Sequence, residues 1–98
     1  MPFVSNVLGV NTQHQTNAAV FQIKDALQKH SIGFSDVSVQ GNDVRVQLSD
    51  GTDVLFSSTK DVIEQIDSLQ LTMDNLTIEG KHISRIDMRF DRPVVTFQ

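Results

Sequence analysis

Apolar and polar residues alternate through three short segments between residues 37 and 56, and this alternation is the strongest constraint on the fold. A period of two is typical of β-strands that bury one face. The first break in the pattern is Gly41-Asn42, a pair that favours a two-residue hairpin turn. Such a turn sets Val39 opposite Val44 and Val37 opposite Val46, so all four valines lie on the same face of the sheet.

The second break in the alternation distinguishes between two loop lengths. A two-residue turn at Asp50-Gly51 would set the polar Gln47 opposite Val54 and mix the two faces. A three-residue loop that ends on a left-handed Gly51 sets Val46 opposite Val54 instead. We therefore predict an antiparallel meander of three strands, with a bulged three-residue loop between the second strand and the third.

Two other segments repeat apolar residues at helical spacing, and we predict helices from about Asn17 to His30 and from about Thr59 to Leu69. Asn17 is the predicted N-cap of the first helix, and Gly33 ends that segment. Ser58 and Asp61 have the spacing of a capping box at the start of the second helix. The apolar stripes are Ala19, Val20, Ile23, Ala26 and Leu27 in the first helix, and Val62, Ile63, Ile66 and Leu69 in the second.

The last third of the chain is predicted to be mostly extended. It comprises a loop at 70–75, a short strand from Leu76 to Ile78, a long strand from Ile83 to Phe90 and a terminal strand from Val94 to Phe97. Ile86, Met88 and Phe90 are expected on one face of the long strand. The predicted fold class is α+β, a mainly antiparallel β-sheet with two amphipathic helices packed on one face. Residues 1–98 form one domain, in which residues 1–15 are a lead-in segment.

Composition argues against several functions. The formal net charge is −4, and no basic stripe of the kind that binds nucleic acid or an anionic membrane surface is visible. The chain has no cysteine, and its three histidines are not at metal-ligand spacing. No catalytic or phosphate-binding motif occurs. We therefore expect no enzyme activity, no cofactor, no metal and no small-molecule substrate.

The terminal segment from Val94 to Phe97 contains strong strand formers and no charge. Pro93 cannot donate to a sheet ladder, which suits an edge position, and exposed edges are usually covered or used. One interpretation is strand addition by a partner. The other is an ordinary strand whose apolar side belongs to the core.

Three arginines, Arg85, Arg89 and Arg92, lie just before this segment. They either bind acidic residues of a partner or form a solvated face, with Asp87 as an internal ion-pair partner.

The string Ile86-Asp87-Met88-Arg89-Phe90 follows a strand, an Asp-Gly turn, a second strand and an amphipathic helix. It resembles the I-D-L-R-[YF] signature near the end of bacterial division proteins of the FtsQ/DivIB family, with Met88 at the usual Leu position. The start, Pro2-Phe3-Val4, is similar to the L-P-[VI] junction that follows the POTRA domain of that family. The chain as a whole resembles the family's C-terminal β-domain.

This resemblance implies a non-catalytic scaffold domain of the divisome on the extracytoplasmic side of the bacterial cytoplasmic membrane. The membrane contact would be made only by an N-terminal helix that this sequence lacks, as it lacks the cytoplasmic tail and the POTRA domain. The expected partners are FtsB/FtsL-like division proteins, with FtsB adding a strand beside the last β-strand. The implied partner-binding residues are Arg89, Phe90, Val94, Val95, Thr96 and Phe97.

Two other functions remain open from the sequence. A self-associating structural domain would pair the terminal strand with its own copy. A small hydrolase would need a cleft lined by histidines and carboxylates, which no sequence pattern predicts.

Overall fold

The computed structural model describes residues 17–98. Residues 17–29 form helix α1, and the elements that follow are β1 (Phe34–Gln40), β2 (Asp43–Leu48), β3 (Asp53–Ser57), α2 (Val62–Glu79), β4 (Ile83–Asp87) and β5 (Val94–Phe97). The strands form one sheet in the order β1-β2-β3-β4-β5. Only β3 and β4 are parallel, because α2 connects them. The predicted α+β class with a mainly antiparallel sheet is confirmed, whereas the predicted lead-in segment lies outside the described residues.

The register of the first three strands is the one that the alternation predicts. Val39 lies opposite Val44 across a two-residue turn, and Val37 lies opposite Val46. In the second hairpin, Val46 lies opposite Val54. The valines of β2 and β3 are fully buried, whereas Val39 on the outer strand β1 is exposed.

The three-residue loop between β2 and β3 is also confirmed. The N–H of Gly51 donates to the carbonyl of Leu48 over 2.9 Å, and the N–H of Leu48 donates to the carbonyl of Thr52 over 2.8 Å. Gly51 has a φ of 94°, a conformation that a glycine adopts without steric cost. The carboxylate of Asp50 accepts the N–H of Thr52 and holds the loop from the other side.

One cluster of buried residues forms the core. It contains the inward side chains of β2, β3 and β4 together with one stripe from each helix. Its largest fully buried members are Phe56, Ile23, Leu27, Ile66, Leu69 and Ile86. The opposite face of the sheet carries polar and charged residues, among them Arg45, Asp53 and Arg85.

Helix α1 covers residues 17–29, close to the predicted range, but the residue that ends it is Ser31 and not Gly33. Asn17 is helical and is the first described residue, so the predicted N-cap at Asn17 stays a prediction. The helix ends before Gly33, because Ser31 adopts a left-handed conformation with a φ of 59°. The N–H groups of Ser31 and Ile32 then donate to the carbonyls of Gln28 and Leu27, which is the Schellman arrangement.

Helix α2 starts later than predicted. Its N-cap is Asp61, whose carboxylate accepts the N–H of Glu64 over 3.0 Å, so the predicted cap at Ser58 is wrong. A second polar residue fixes this end of the helix. Gln65 is buried, and its amide accepts the N–H of Ser57 and donates to the carbonyl of Ser57, each over 2.9 Å. The pairing of β3 with β4 ends at Leu55, so the main-chain N–H and carbonyl of Ser57 have no partner in β4. The side chain of Gln65 supplies that partner.

Helix α2 also ends ten residues later than the predicted Leu69, and the predicted loop at 70–75 and strand at 76–78 are wrong. The core stripe continues through Met73, and Leu76 is half-buried. The exposed Leu71 and Ile78 obscure the helical period in the sequence, because both point to solvent. The helix stops at Gly80, whose φ of 71° lets its N–H reach the carbonyl of Thr77 in a second Schellman arrangement.

Strand β4 ends at Asp87, three residues before the predicted end at Phe90. The carboxylate of Asp87 accepts the N–H of Arg89 over 3.0 Å, and this Asx-type turn diverts the chain from the strand. Met88 still donates its N–H to the carbonyl of Leu55 and is buried. Phe90, expected on the core face, is 57% exposed.

Candidate docking edge

Strand β5 lies at one end of the sheet. Among residues 17–98, β4 is the only strand that pairs with it. Val95 lies opposite Ile86 and packs against the core, while Val94 and Thr96 lie on the other face, opposite Asp87 and Arg85. One side chain of this strand therefore belongs to the core while the strand itself lies at an edge, and strand addition by a partner stays a prediction.

The apolar exposure along β5 is high for so short a strand. Val94 is 50% exposed and Phe97 is 45% exposed. The ammonium group of Lys81 lies 5.3 Å from the centre of the Phe97 ring, within the range of a cation–π contact. A partner strand would bury this surface and pair the open side of β5.

Arg89 is held by the protein's own carboxylates. Its guanidinium donates to both oxygens of Asp87 over 2.9 Å and 2.7 Å, and to Asp43 over 2.8 Å. These bonds lower the pKa of the Asp87 carboxyl, and they raise the pKa of Arg89. Arg89 therefore anchors the turn after β4 to β2 and has fewer donors left for a partner than the sequence suggested.

The other two arginines of the cluster are exposed. Neither Arg85 nor Arg92 makes an ion pair with any residue of the described range 17–98. Arg85 lies directly beside Thr96 in the sheet. Of the three arginines considered from the sequence, these two have the geometry to meet an acidic group of a partner.

Phe90 lines a groove between the first turns of α2 and the segment that connects β4 to β5. The groove has a volume of about 490 Å³ and also contains Met88 and Pro93. Its rim carries Lys60, Asp61, Glu64 and Asp91. The sequence indicated only that the helix residues of this rim face solvent. No sequence signal identified the groove, because its two lining segments, 60–68 and 88–93, are far apart in the chain.

A second groove, of about 260 Å³, lies at the other end of β5. Met73, Ile83 and Gln98 are among the residues that line it. Both grooves are on the helix side of the sheet, since each is lined by α2. The six predicted partner-binding residues thus do not form one patch: Phe90 lines the first groove, residues 94–97 form the edge, and Arg89 lies on the opposite face.

Residues 17–98 contain neither a metal-binding cluster nor a membrane-spanning helix. No group of three or more histidines, aspartates or glutamates there has the arrangement of a metal site. No described helix is long and apolar enough to span a bilayer.

No family model matches the chain, and no curated protein matches it significantly.

Proposed function

We propose that this chain is a non-catalytic docking domain that accepts a strand from another polypeptide along β5. The observation that carries the proposal is the uncharged strand β5, which has a single strand neighbour among residues 17–98 and half-exposed apolar side chains. Main-chain bonds along such an edge give affinity, and pockets for alternate side chains give specificity. An edge of this kind without a charge is otherwise prone to unwanted pairing, which favours a dedicated partner.

We further propose that the setting is the bacterial divisome and that the partners are FtsB/FtsL-like division proteins. The support is the resemblance of residues 86–90 to the FtsQ/DivIB signature and the position of that segment immediately before the edge strand. In this setting the domain lies outside the cytoplasmic membrane and belongs to a single-pass membrane protein.

The test is binding of the extracytoplasmic segment of an FtsB-like protein, measured by calorimetry. Val95→Pro removes one backbone donor from β5, and we expect it to weaken binding by about tenfold, which corresponds to one lost hydrogen bond. Thermal unfolding of the variant checks that the domain remains folded. Equal affinity of a folded Val95→Pro variant and the parent would contradict strand addition.

A second candidate function is self-association through the same edge. It is supported by the same lack of charge on β5, since two copies would meet without repulsion. It predicts a concentration-dependent dimer that disappears in Val95→Pro, whereas a partner-binding domain is a monomer in both forms.

A further inference from the structure

One hydrogen bond just beyond the last residue of β5 shows which residues of this strand turn their N–H and carbonyl groups towards β4. The N–H of Gln98 donates to the carbonyl of His82 over 3.2 Å, so the polar groups of Gln98 face β4. Along a strand the main-chain groups of successive residues alternate in direction, so Thr96 and Val94 also face β4. The irregularity in this ladder lies between Ile83 and Arg85 of β4, so the alternation within β5 is unbroken.

From this alternation, and resting on the proposed function, we infer that Val95 and Phe97 present the backbone groups that bind a partner strand, and that this partner is an extended segment with apolar residues at alternate positions. Both residues have side chains on the helix side of the sheet, where Val95 packs against the core. A partner residue directly opposite one of them places its own side chain on that same side.

The apolar pattern of the partner follows from the rows of the sheet. Val37, Val46, Val54, Ile86 and Val95 lie opposite one another in turn and form one apolar row across all five strands. A sixth strand extends this row, so the residue opposite Val95 is apolar. A polar residue there would lie against the apolar row without a hydrogen-bonding partner, which is unfavourable.

The two grooves extend the same pattern in both directions. Pro93, Val95 and Phe97 are two residues apart, so partner residues opposite them point to the same side at intervals of about 7 Å. The groove beside Pro93 contains Met88 and Phe90, and it accepts a large apolar side chain. The groove at the other end of β5 is smaller and exposes less apolar surface, and Asp50 and Lys81 are among its lining residues. The expected motif is therefore apolar-x-apolar-x-apolar, with its bulkiest residue beside Pro93.

Amide hydrogen exchange of the free domain tests the direction of β5 without any partner. We expect the amides of Val94 and Thr96 to exchange roughly tenfold or more slowly than those of Val95 and Phe97, because only the former are hydrogen-bonded within the sheet. Thr96→Pro removes an internal donor and lowers the unfolding temperature more than Val95→Pro does, because Val95→Pro keeps the internal donors and loses only part of the core contact of Val95. The opposite order of exchange rates would overturn the assignment of the outward residues.

A capped seven-residue peptide that alternates threonine and valine tests the side-chain pattern. We expect it to slow exchange at Val95 and Phe97, and we expect a peptide of the same composition whose valines are three residues apart, so that no two of them are at alternate positions, not to do so. Equal protection by the two peptides would overturn the alternate-residue motif. Failure of the proposed function has a different signature: the FtsB-like segment then binds without affecting the resonances of β5, while the exchange pattern of the free domain stands.

Discussion

Asp87 carries out two structural tasks with one side chain. One carboxylate oxygen accepts both the N–H and the Nε–H of Arg89, and the other accepts a second guanidinium N–H. The residue is only 8% exposed, so little water competes for these bonds. The side chain thereby ends β4 and directs the chain into the segment that leads to β5.

Replacing Asp87 by Asn is expected to destabilise the domain by about 1.5–3 kcal/mol at pH 7, the range for lost hydrogen bonds to charged groups. Arg89 holds the pKa of Asp87 below its unfolded value of about 4, so the stabilisation is complete above that pH. It is lost as the pH falls through the folded-state pKa. Urea unfolding therefore shows a difference in the free energy of unfolding between parent and variant that is smaller at pH 3 than at pH 7.

Asp91→Asn is the matched control for this charge removal. Asp91 is fully exposed and lies 3.8 Å from Lys60, a geometry that contributes little. A destabilisation by Asp91→Asn as large as that by Asp87→Asn, or a difference for Asp87→Asn that persists unchanged at pH 3, would contradict the role assigned to Asp87.

At the scale of the element, α2 is the part of the fold that the sequence predicted least well. Its first two turns follow a clear apolar stripe, but two exposed apolar residues in its last three turns obscure the period. Its end is set by the backbone at Gly80. A glycine after an apolar segment is compatible with a turn between strands and with a helix C-terminus, and only the packed structure distinguishes them.

Gly80→Ala is expected to destabilise the domain by about 1 kcal/mol, because alanine at a φ of 71° is strained. An added Cβ meets no atom within 4 Å, so the loss comes from the backbone and not from a clash. Gly80→Asn is the matched variant and should lose less, since asparagine tolerates the left-handed region better. Denaturant unfolding measures both, and equal stability of Gly80→Ala and the parent would contradict the Schellman end of α2.

At the scale of the whole molecule, the connection through α2 determines which strand is the edge. Because α2 returns the chain parallel to β3, β4 occupies the position next to the meander and β5 is left outermost. The other outermost strand, β1, carries Asp36 and an irregularity between Phe34 and Asp36. Both features discourage strand addition, and β5 has neither a charge nor a bulge of its own.

The isolated domain is expected to sediment as a monomer at micromolar concentration. Strand β5 has four residues, and pairing two such strands buries far less than the roughly 1,200 Å² of a stable interface. Sedimentation velocity over a range of concentrations measures this. A dimer that is lost in Val95→Pro would favour the self-associating alternative over docking of a different partner.

The sequence by itself determined the first three strands and their register, because these depend on contacts between residues close in the chain. The period of two and the loop lengths leave a single register in which the valines of β1, β2 and β3 share a face. It also determined that residues 94–97 are a strand, since their composition favours no other local structure.

Only the tertiary structure decided that β5 lies at an edge of the sheet. The place of β5 in the sheet depends on a parallel pairing between β3 and β4, whose partners are about 32 residues apart. The ion pair between Arg89 and Asp43 joins residues that are 46 positions apart in the chain. The groove beside Phe90 likewise forms between two segments that are distant in the chain. Such contacts depend on how the chain closes over long separations, which the local pattern of side chains does not specify.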